Sequence, residues 1–544
     1  MAALLFSMPR LLPSLALVLL SLPLQPCVLA EAQDRPSSAG SEEPFYYIRE
    51  YRVSGNRLLS ALEISKAVYP HLGPGRRAAD IDAARAALEK CYHDRGWQAV
   101  TVQVPQQSGR RGVIRLEVTE ARIGNLNVKG AKWNLPSEIS RRAPSLKPGT
   151  APHFKDIERD IVALNQSGDL KVTPKLNPGD DPGVLDIELE VEDRAPLHGN
   201  FEINNRYSPN TVPLRVNGGF SYGNLWQLGH SMGLSFQLAP ERLDDGEVYS
   251  GFYTLPISNQ TDLTLSATQQ SSNINTLGGS AVVGQGEVVG LNLSHQSSQA
   301  DGMVHNLSAG IDYKHFSQVL DLGAGGNRLS APVSYWPLHL GYAVAATGDN
   351  SFTQANVALH WAFRGMASRP DFNARRYGAT GGYLALRADA NRLQDLPGNW
   401  QGFLRVASQL SNDALINNEQ FAAGGLDSVR GYLVSAALGD VGLSSSLELR
   451  TPSLLGPNHG RAKDGSPAPR EWRFHLFADG ALLAIHEALP QQQRQWSLAS
   501  AGIGSSLRLN SQWQAVADLG VPLLRLNETQ VGDFLLSFRL WADF

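Results

Sequence analysis

The chain is 544 residues long, 18% charged and 42% hydrophobic, with a formal net charge of -4. That length holds several domains with sizeable cores, while the mixed charge leaves no basic field for a nucleic-acid partner and no acidic tail to suggest disorder. Its two cysteines are Cys27 and Cys91. Cys27 lies in a segment expected to be removed, so no intramolecular disulfide is expected, and Cys91 is expected to be buried.

Residues 1–30 read as a signal peptide: Arg10 supplies the positive charge, Leu11 to Leu24 is apolar, and Val28-Leu29-Ala30 ends the run. A lipid anchor on Cys27 is the competing reading, although Leu24-Gln25-Pro26 lacks the small residues such a site wants. The apolar run is shorter than the roughly 20 residues of a spanning helix, and no later segment approaches that length. Residues 31–44, "EAQDRPSSAGSEEP", are polar and proline-bearing and read as a flexible leader with little or no helix. Eight of the ten lysines precede residue 194, so two environments are expected on either side of it.

From Phe45 to Asp193 one plan occurs twice, an amphipathic helix, a glycine and alternating strands. In the first copy Ile81, Ala84, Leu88 and Cys91 recur at helical spacing before Gly96, and Val100, Val102 and Val104 then share one strand face. In the second, Phe154, Ile157, Ile161 and Leu164 form the stripe before Gly168, and "VLDIELEVED", Val184 to Asp193, alternates as a strand. The stretches "GWQAVTVQVPQQ", "RLEVTEARIGNLNVKG" and "DIERDIVALNQSGDLKVTPKLNPGDDPG" resemble the paired POTRA domains of outer-membrane secretion proteins. The resemblance implies two periplasmic α+β modules, 45–120 and 121–193. Their strand edges would accept an extended peptide as an added strand, and a pair of plain spacer domains is the alternative.

After Arg194 short alternating strands follow one another: "SMGLSFQL" (Ser231 to Leu238), "DLTLSA" (Asp262 to Ala267), "GLNLS" (Gly290 to Ser294), "NLSAGIDY" (Asn306 to Tyr313) and "NVALHWAF" (Asn356 to Phe363). Alternation alone fits a soluble sandwich as well as a membrane barrel with one face toward lipid. The signal peptide and the length favour the barrel. A bilayer admits only helices and closed barrels, and the roughly 350 residues of 194–544, at roughly 22 per strand with its turn, give about sixteen strands. The terminal stretch sets Phe534, Leu536, Phe538, Leu540, Ala542 and Phe544 on one face. An aromatic last residue, Phe544, resembles the signal by which the barrel assembly machinery recognises outer-membrane clients.

Between the strands "GFLRVASQL" (Gly402 to Leu410) and "LSSSLELR" (Leu443 to Arg450) lies a long connection, about 411–442, carrying "GGLDSVRGY". Gly424, Gly425, Val429, Arg430, Gly431 and Tyr432 of that run match the VRGY loop shared by BamA-type assembly proteins and TpsB two-partner secretion transporters. The resemblance implies a loop folded back into the lumen, with Arg430 held by a carboxylate on the inner wall. A solvent-facing arginine on an exterior loop is the plain alternative. "FHLFADG" resembles the family's wall motif and nominates Phe477, Asp479 and Gly480, although the glycine directly follows the aspartate where the family has it one place later. Room for two modules only, together with Asn205 to Phe236, makes the whole similar to the TpsB transporters of the haemolysin secretion/activation (ShlB/FhaC/HecB) type. That implies a bacterial outer-membrane protein whose partners are lipid and one large TpsA-like exoprotein, a haemolysin, an adhesin or a contact-dependent toxin. A barrel-insertion factor of the same superfamily and a passive porin are the alternatives.

Enzymatic patterns are weak. "GFSYG", Gly219 to Gly223, fits G-x-S-x-G, but that elbow needs a strand turning into a helix and Ser221 falls among alternating strands. His486-Glu487 lacks the second histidine of a zinc-protease helix. No catalysis, cofactor or metal is expected.

Overall fold

The computed structural model describes residues 45–107, 110–165, 168–271, 275–277, 280–282, 285–298, 302–317, 319–321, 328–330, 332–455 and 470–544. The signal peptide and leader expected over 1–30 and 31–44 lie outside the described residues. The chain forms two units that meet in sequence at Ala195 and Pro196.

In the first module, strand Glu50–Ser54 leads to helices Ala61–Val68 and Ala78–His93 and to strands Val100–Gln103 and Val113–Glu120. The last strand takes the middle of the sheet, parallel to the first and antiparallel to the other. The second module repeats this with Arg122–Lys129, Pro136–Arg141, Phe154–Leu164, Leu170–Pro178 and Val184–Asp193. Each copy thus holds two helices where the periodicity shows one. The extra ones have 8 and 6 residues, too few turns to display a stripe. Ser60 and Glu63 start the first by capping each other's backbone amides.

Both cores are apolar. Leu88, Tyr92 and Leu116 are fully buried in the first and Leu146 and Leu189 in the second. Cys91 is half-buried, contrary to expectation: Tyr92 takes the inward position, and Cys91 Sγ accepts a hydrogen bond from Arg95 Nη1 at 2.8 Å. A pair of matched details marks the repeat more sharply than the helices do. A Cβ on Gly55 would sit 2.1 Å from Val118 O, and one on Gly130 would sit 2.4 Å from Val191 O. Two residues beyond each valine stands an acid, Glu120 or Asp193, that accepts amides from the chain just after the glycine.

The second unit is a closed antiparallel barrel. Val333–Tyr335 and Leu338–Gly348 both pair with Met303–Ser317 and count as one strand interrupted at Trp336-Pro337, which gives sixteen strands among the described residues. One rim carries Leu197 of the first strand and Phe544 after the last, and is termed proximal. The connection bearing Arg430 starts at the distal rim. Outside, Leu265, Leu291, Leu447 and Leu476 are exposed across the middle of the wall. Trp226, Trp400, Trp472 and Trp513 ring the proximal rim, and Trp336, Phe363 and Phe534 stand at the distal one. An apolar band between two aromatic belts is what a bilayer selects. Inside, Gln237, Gln270, Gln409 and Ser444 are buried. Ser221 lies in the strand Arg215–Leu225, with no helix following.

Candidate functional site: the lumenal loop

Between Ser411 and Val441 the chain makes a turn at Asn417–Glu419, then a short hairpin of Phe421–Ala423 and Ala437–Gly439. The hairpin carries the segment Gly424 to Val434 at its tip. Gly424 and Gly425 adopt φ of 113° and 90°, a left-handed region closed to most side chains. The tip then closes on itself: Ser428 Oγ donates to Gly424 O at 3.0 Å, and Gly425 N donates to Tyr432 O at 3.0 Å.

The tip turns inward and presses Arg430 against the wall, leaving it 4% exposed. Asp479 Oδ2 accepts from Arg430 Nε at 2.7 Å and from its backbone N at 3.0 Å, and Asp479 Oδ1 accepts from Nη2 at 2.8 Å. Nη1 donates to Glu448 Oε1 at 2.7 Å, and Nη2 donates to Ser446 Oγ at 2.9 Å. Asp518 Oδ2 stands 3.8 Å from Nη1, and the guanidinium carbon lies 3.6 Å from the centre of the Phe477 ring. A planar fork meeting a carboxylate side-on while stacked on an aromatic face is a fit that lysine would not reproduce. The carboxylates are held in turn, Glu448 by Arg450 at 2.7 Å and Asp518 by His475 at 2.6 Å.

The loop approaches this closely because side chains are missing beneath it. A Cβ on Gly520 would lie 2.5 Å from Gly431 N, and one on Gly502 would lie 2.3 Å from the Phe477 ring. Tyr432 OH donates to Leu524 O at 2.6 Å, and Val429 packs with Tyr432, Ala481 and Leu498.

The structure therefore brings Gly424, Gly425, Val429, Arg430, Gly431, Tyr432, Phe477 and Asp479 together. Gly480 points away, sharing the outer face with Leu482, and a Cβ there would meet only Leu498 O at 3.7 Å. The inward position beyond Asp479 is Ala481, so the displaced glycine leaves the register intact. Phe544 stands at the proximal rim, its N donating to Gly199 O across the seam at 2.8 Å.

Two buried carboxylates at the base of the loop went unread in the sequence. On one stem Glu419 accepts from Lys314 Nζ at 2.7 Å, Tyr335 OH at 2.6 Å and Arg387 Nη2 at 3.1 Å. On the other, Asp440 accepts from Arg376, Gln420 Nε2 and the amides of Leu415 and His486. Arg376 follows the short helix Arg369–Arg375, so a second distal connection is tied to the same base. Nothing in the spacing of Glu419 or Asp440 signals this, because the partners of Glu419 lie on three other strands and those of Asp440 in the loop itself and two further connections.

Comparison with known proteins bears on this geometry. The family described as haemolysin secretion/activation protein ShlB/FhaC/HecB matches residues 183–507, and the ShlB-type POTRA domain matches residues 46–121. The outer membrane transporter CdiB of Escherichia coli strain 536 is 26% identical over 188 residues, 35% of this chain and 32% of that protein, so the aligned stretch spans about a third of the curated relative. Among solved structures, CdiB from Escherichia coli superposes with a TM-score of 0.64 at 20% identity, covering 94% of this chain and 93% of the other. CdiB from Acinetobacter baumannii gives 0.58 at 16% identity, covering 95% of each chain. BamA from Haemophilus ducreyi lacking POTRA domains 1-3 gives 0.55 at 15% identity, covering 92% of this chain and 100% of the other. At these identities the structural likeness speaks for the fold.

Proposed function

The chain belongs to the haemolysin secretion/activation family, TpsB-type outer-membrane transporters with a periplasmic POTRA domain, and from that premise we propose that it secretes one large TpsA-like exoprotein by two-partner secretion. The modules capture the client in the periplasm, and the barrel passes it to the cell surface. The observation that carries the reading is the Arg430 loop inside the closed barrel, fastened by charge-assisted bonds to Asp479 and Glu448. Such a fastening fixes one geometry tightly and is still reversible, since each group can be rehydrated in a wet lumen once the loop moves. An apolar plug of the same size would offer no comparable exchange with water. Capture uses strand addition at an outer strand of a module: among the described residues, Glu50–Ser54, Val100–Gln103, Arg122–Lys129 and Leu170–Pro178 each have a strand neighbour on one side only. The peptide displaces or passes the side chains that hold part of an edge, His93 and Glu89 on Val100 O and Val102 N and Asn165 on Val172. Folding of the client outside the cell then supplies the drive, without ATP.

The test is secretion by Arg430→Ala and Asp479→Ala variants in a strain producing the client. Loss of the exoprotein from the surface and medium is expected, while the barrel still reaches the outer membrane in normal amount and still migrates as a folded species before heating. Undiminished secretion by both variants overturns the reading. If depletion of the chain instead lowers many outer-membrane proteins, a barrel-insertion factor is indicated, and steady passage of small solutes without any client indicates a porin.

A further inference from the structure

The first and last strands meet in the shortest ladder of the barrel. Five ladder pairs, Arg539 with Asn204 through Asp543 with Asn200, join them, with Phe544 bonded to Gly199 just beyond, whereas the first strand shares eight pairs with its other neighbour. Toward the distal rim the main-chain ladder gives out after Asn205 N donates to Phe538 O at 3.3 Å. There a side chain takes over. Asn205 Oδ1 accepts from Phe538 N at 2.7 Å, and Asn205 Nδ2 donates to Leu536 O at 2.7 Å, so one amide side chain reproduces the bonds of a strand residue.

The two residues that follow Asn205 reach the Arg430 loop. Arg206 forms an ion pair with Asp427, three positions before Arg430. Arg405 from the opposite wall approaches the same carboxylate at 3.9 Å. Val434 N donates to Tyr207 O at 3.0 Å. A small cavity between loop and seam is lined by Asn205, Tyr207, Leu426 and Leu433 together with Leu535 and Ser537 of the last strand. On its other flank the same loop is fastened to Asp479, Glu448 and Gly520. The seam therefore lies between two attachments of one loop.

We propose that the Arg430 loop is an internal brace across the seam, with Arg206, Tyr207 and Asp427 as its fastening on the first-strand side. Withdrawing the loop and loosening the first and last strands are then one coupled event. An unpaired strand edge is costly in lipid, so a short ladder gains most from support behind it. The coupling requires only the barrel and does not depend on what passes through it, so an export assay neither supports nor sinks it.

Hydrogen exchange on the full chain in lipid, read peptide by peptide, tests this. Arg206→Ala and Asp427→Ala should each speed exchange over 199–205 and 535–544 by on the order of fivefold, with 471–508 unchanged. The swap Arg206→Asp with Asp427→Arg should restore much of the protection. Arg430→Ala frees the loop from its other flank and should loosen the same two peptides. A seam that stays protected in these variants while 424–434 exchanges faster overturns the proposal. An equal rise in every barrel strand does so as well, because it marks general loss of stability.

Discussion

Two strands with the same period carry opposite burial. In the second module "VLDIELEVED" hides Ile187, Leu189 and Val191 and shows its acids. In the barrel "SMGLSFQL" exposes Met232 and Leu234 and buries Gln237. Period two specifies a pleated strand with two unlike faces and leaves open which of them is inside. The solvent decides: a module in water turns apolar residues inward, and a barrel in lipid turns them out and must satisfy its polar groups across the lumen. The modules are therefore held by close apolar packing, whereas the barrel interior adds paired charges such as Arg430 with Asp479 to small apolar clusters like that of Val429, Tyr432 and Leu498.

The most severe way to break this comparison is to orphan one lumenal charge. Removing a single partner of a buried ion pair costs roughly 3–5 kcal/mol, because the remaining charge stays desolvated. Asp479→Ala and Arg430→Ala should each lower the temperature of heat-modified migration, and the double variant should cost clearly less than the sum. Additive effects in that cycle would show that the two side chains act independently despite their 2.7 Å contact.

Packing offers a gentler contrast. Leu189 is fully enclosed, whereas Leu234 is 49% exposed on the barrel wall. Enlarging Leu189 to Phe should cost roughly 1–3 kcal/mol through overpacking, while Leu234→Phe should stay within about 0.5 kcal/mol, since fluid acyl chains impose no fixed shape. Denaturant titration of the full chain in detergent, followed separately in module and barrel peptides, reads both. Equal costs at the two positions would mean that the outer wall is packed like a core.

Much of the architecture is legible in the residues because helices and strands differ in period, and because the last strand and the Arg430 run carry recognisable chemistry. The face of each barrel strand is not legible from period alone and rested on the targeting segment and the length. Resemblance nominates the Arg430 partner, and the local register is fixed by Ala481 facing inward with Asp479, which the displaced glycine leaves open in the sequence. Glu419, Asp440 and Asn205 escaped for a shared physical reason. Their partners lie far along the chain, so neither periodicity nor motif spacing registers them. Tyr92 displaced Cys91 from the core because an aromatic ring at the neighbouring position buries far more area than a thiol.

The smallest expected effect separates the modules' surface chemistry from the lumen's. Burial alone would raise the pKa of Asp193, but the backbone amides of Trp133, Lys132 and Asn134 donate to its carboxylate and hold it below the ordinary value. A depressed folded-state pKa contributes stability that is complete above the unfolded value, about 3.9, and is lost as pH falls through the folded value. Amides of residues 131–135 should thus lose protection on acidification below about pH 4, at the strand end where Gly130 enters its tight turn. Asp193→Asn keeps one acceptor oxygen and removes the charge, so about 1 kcal/mol of protection should disappear at neutral pH and the acid dependence with it. An acid slope that persists in this variant would assign the sensitivity to another carboxylate of the module. Glu120, which holds the corresponding turn of the first module, provides the internal control, because Asp193→Asn should leave the amides of Arg57 and Leu58 unchanged.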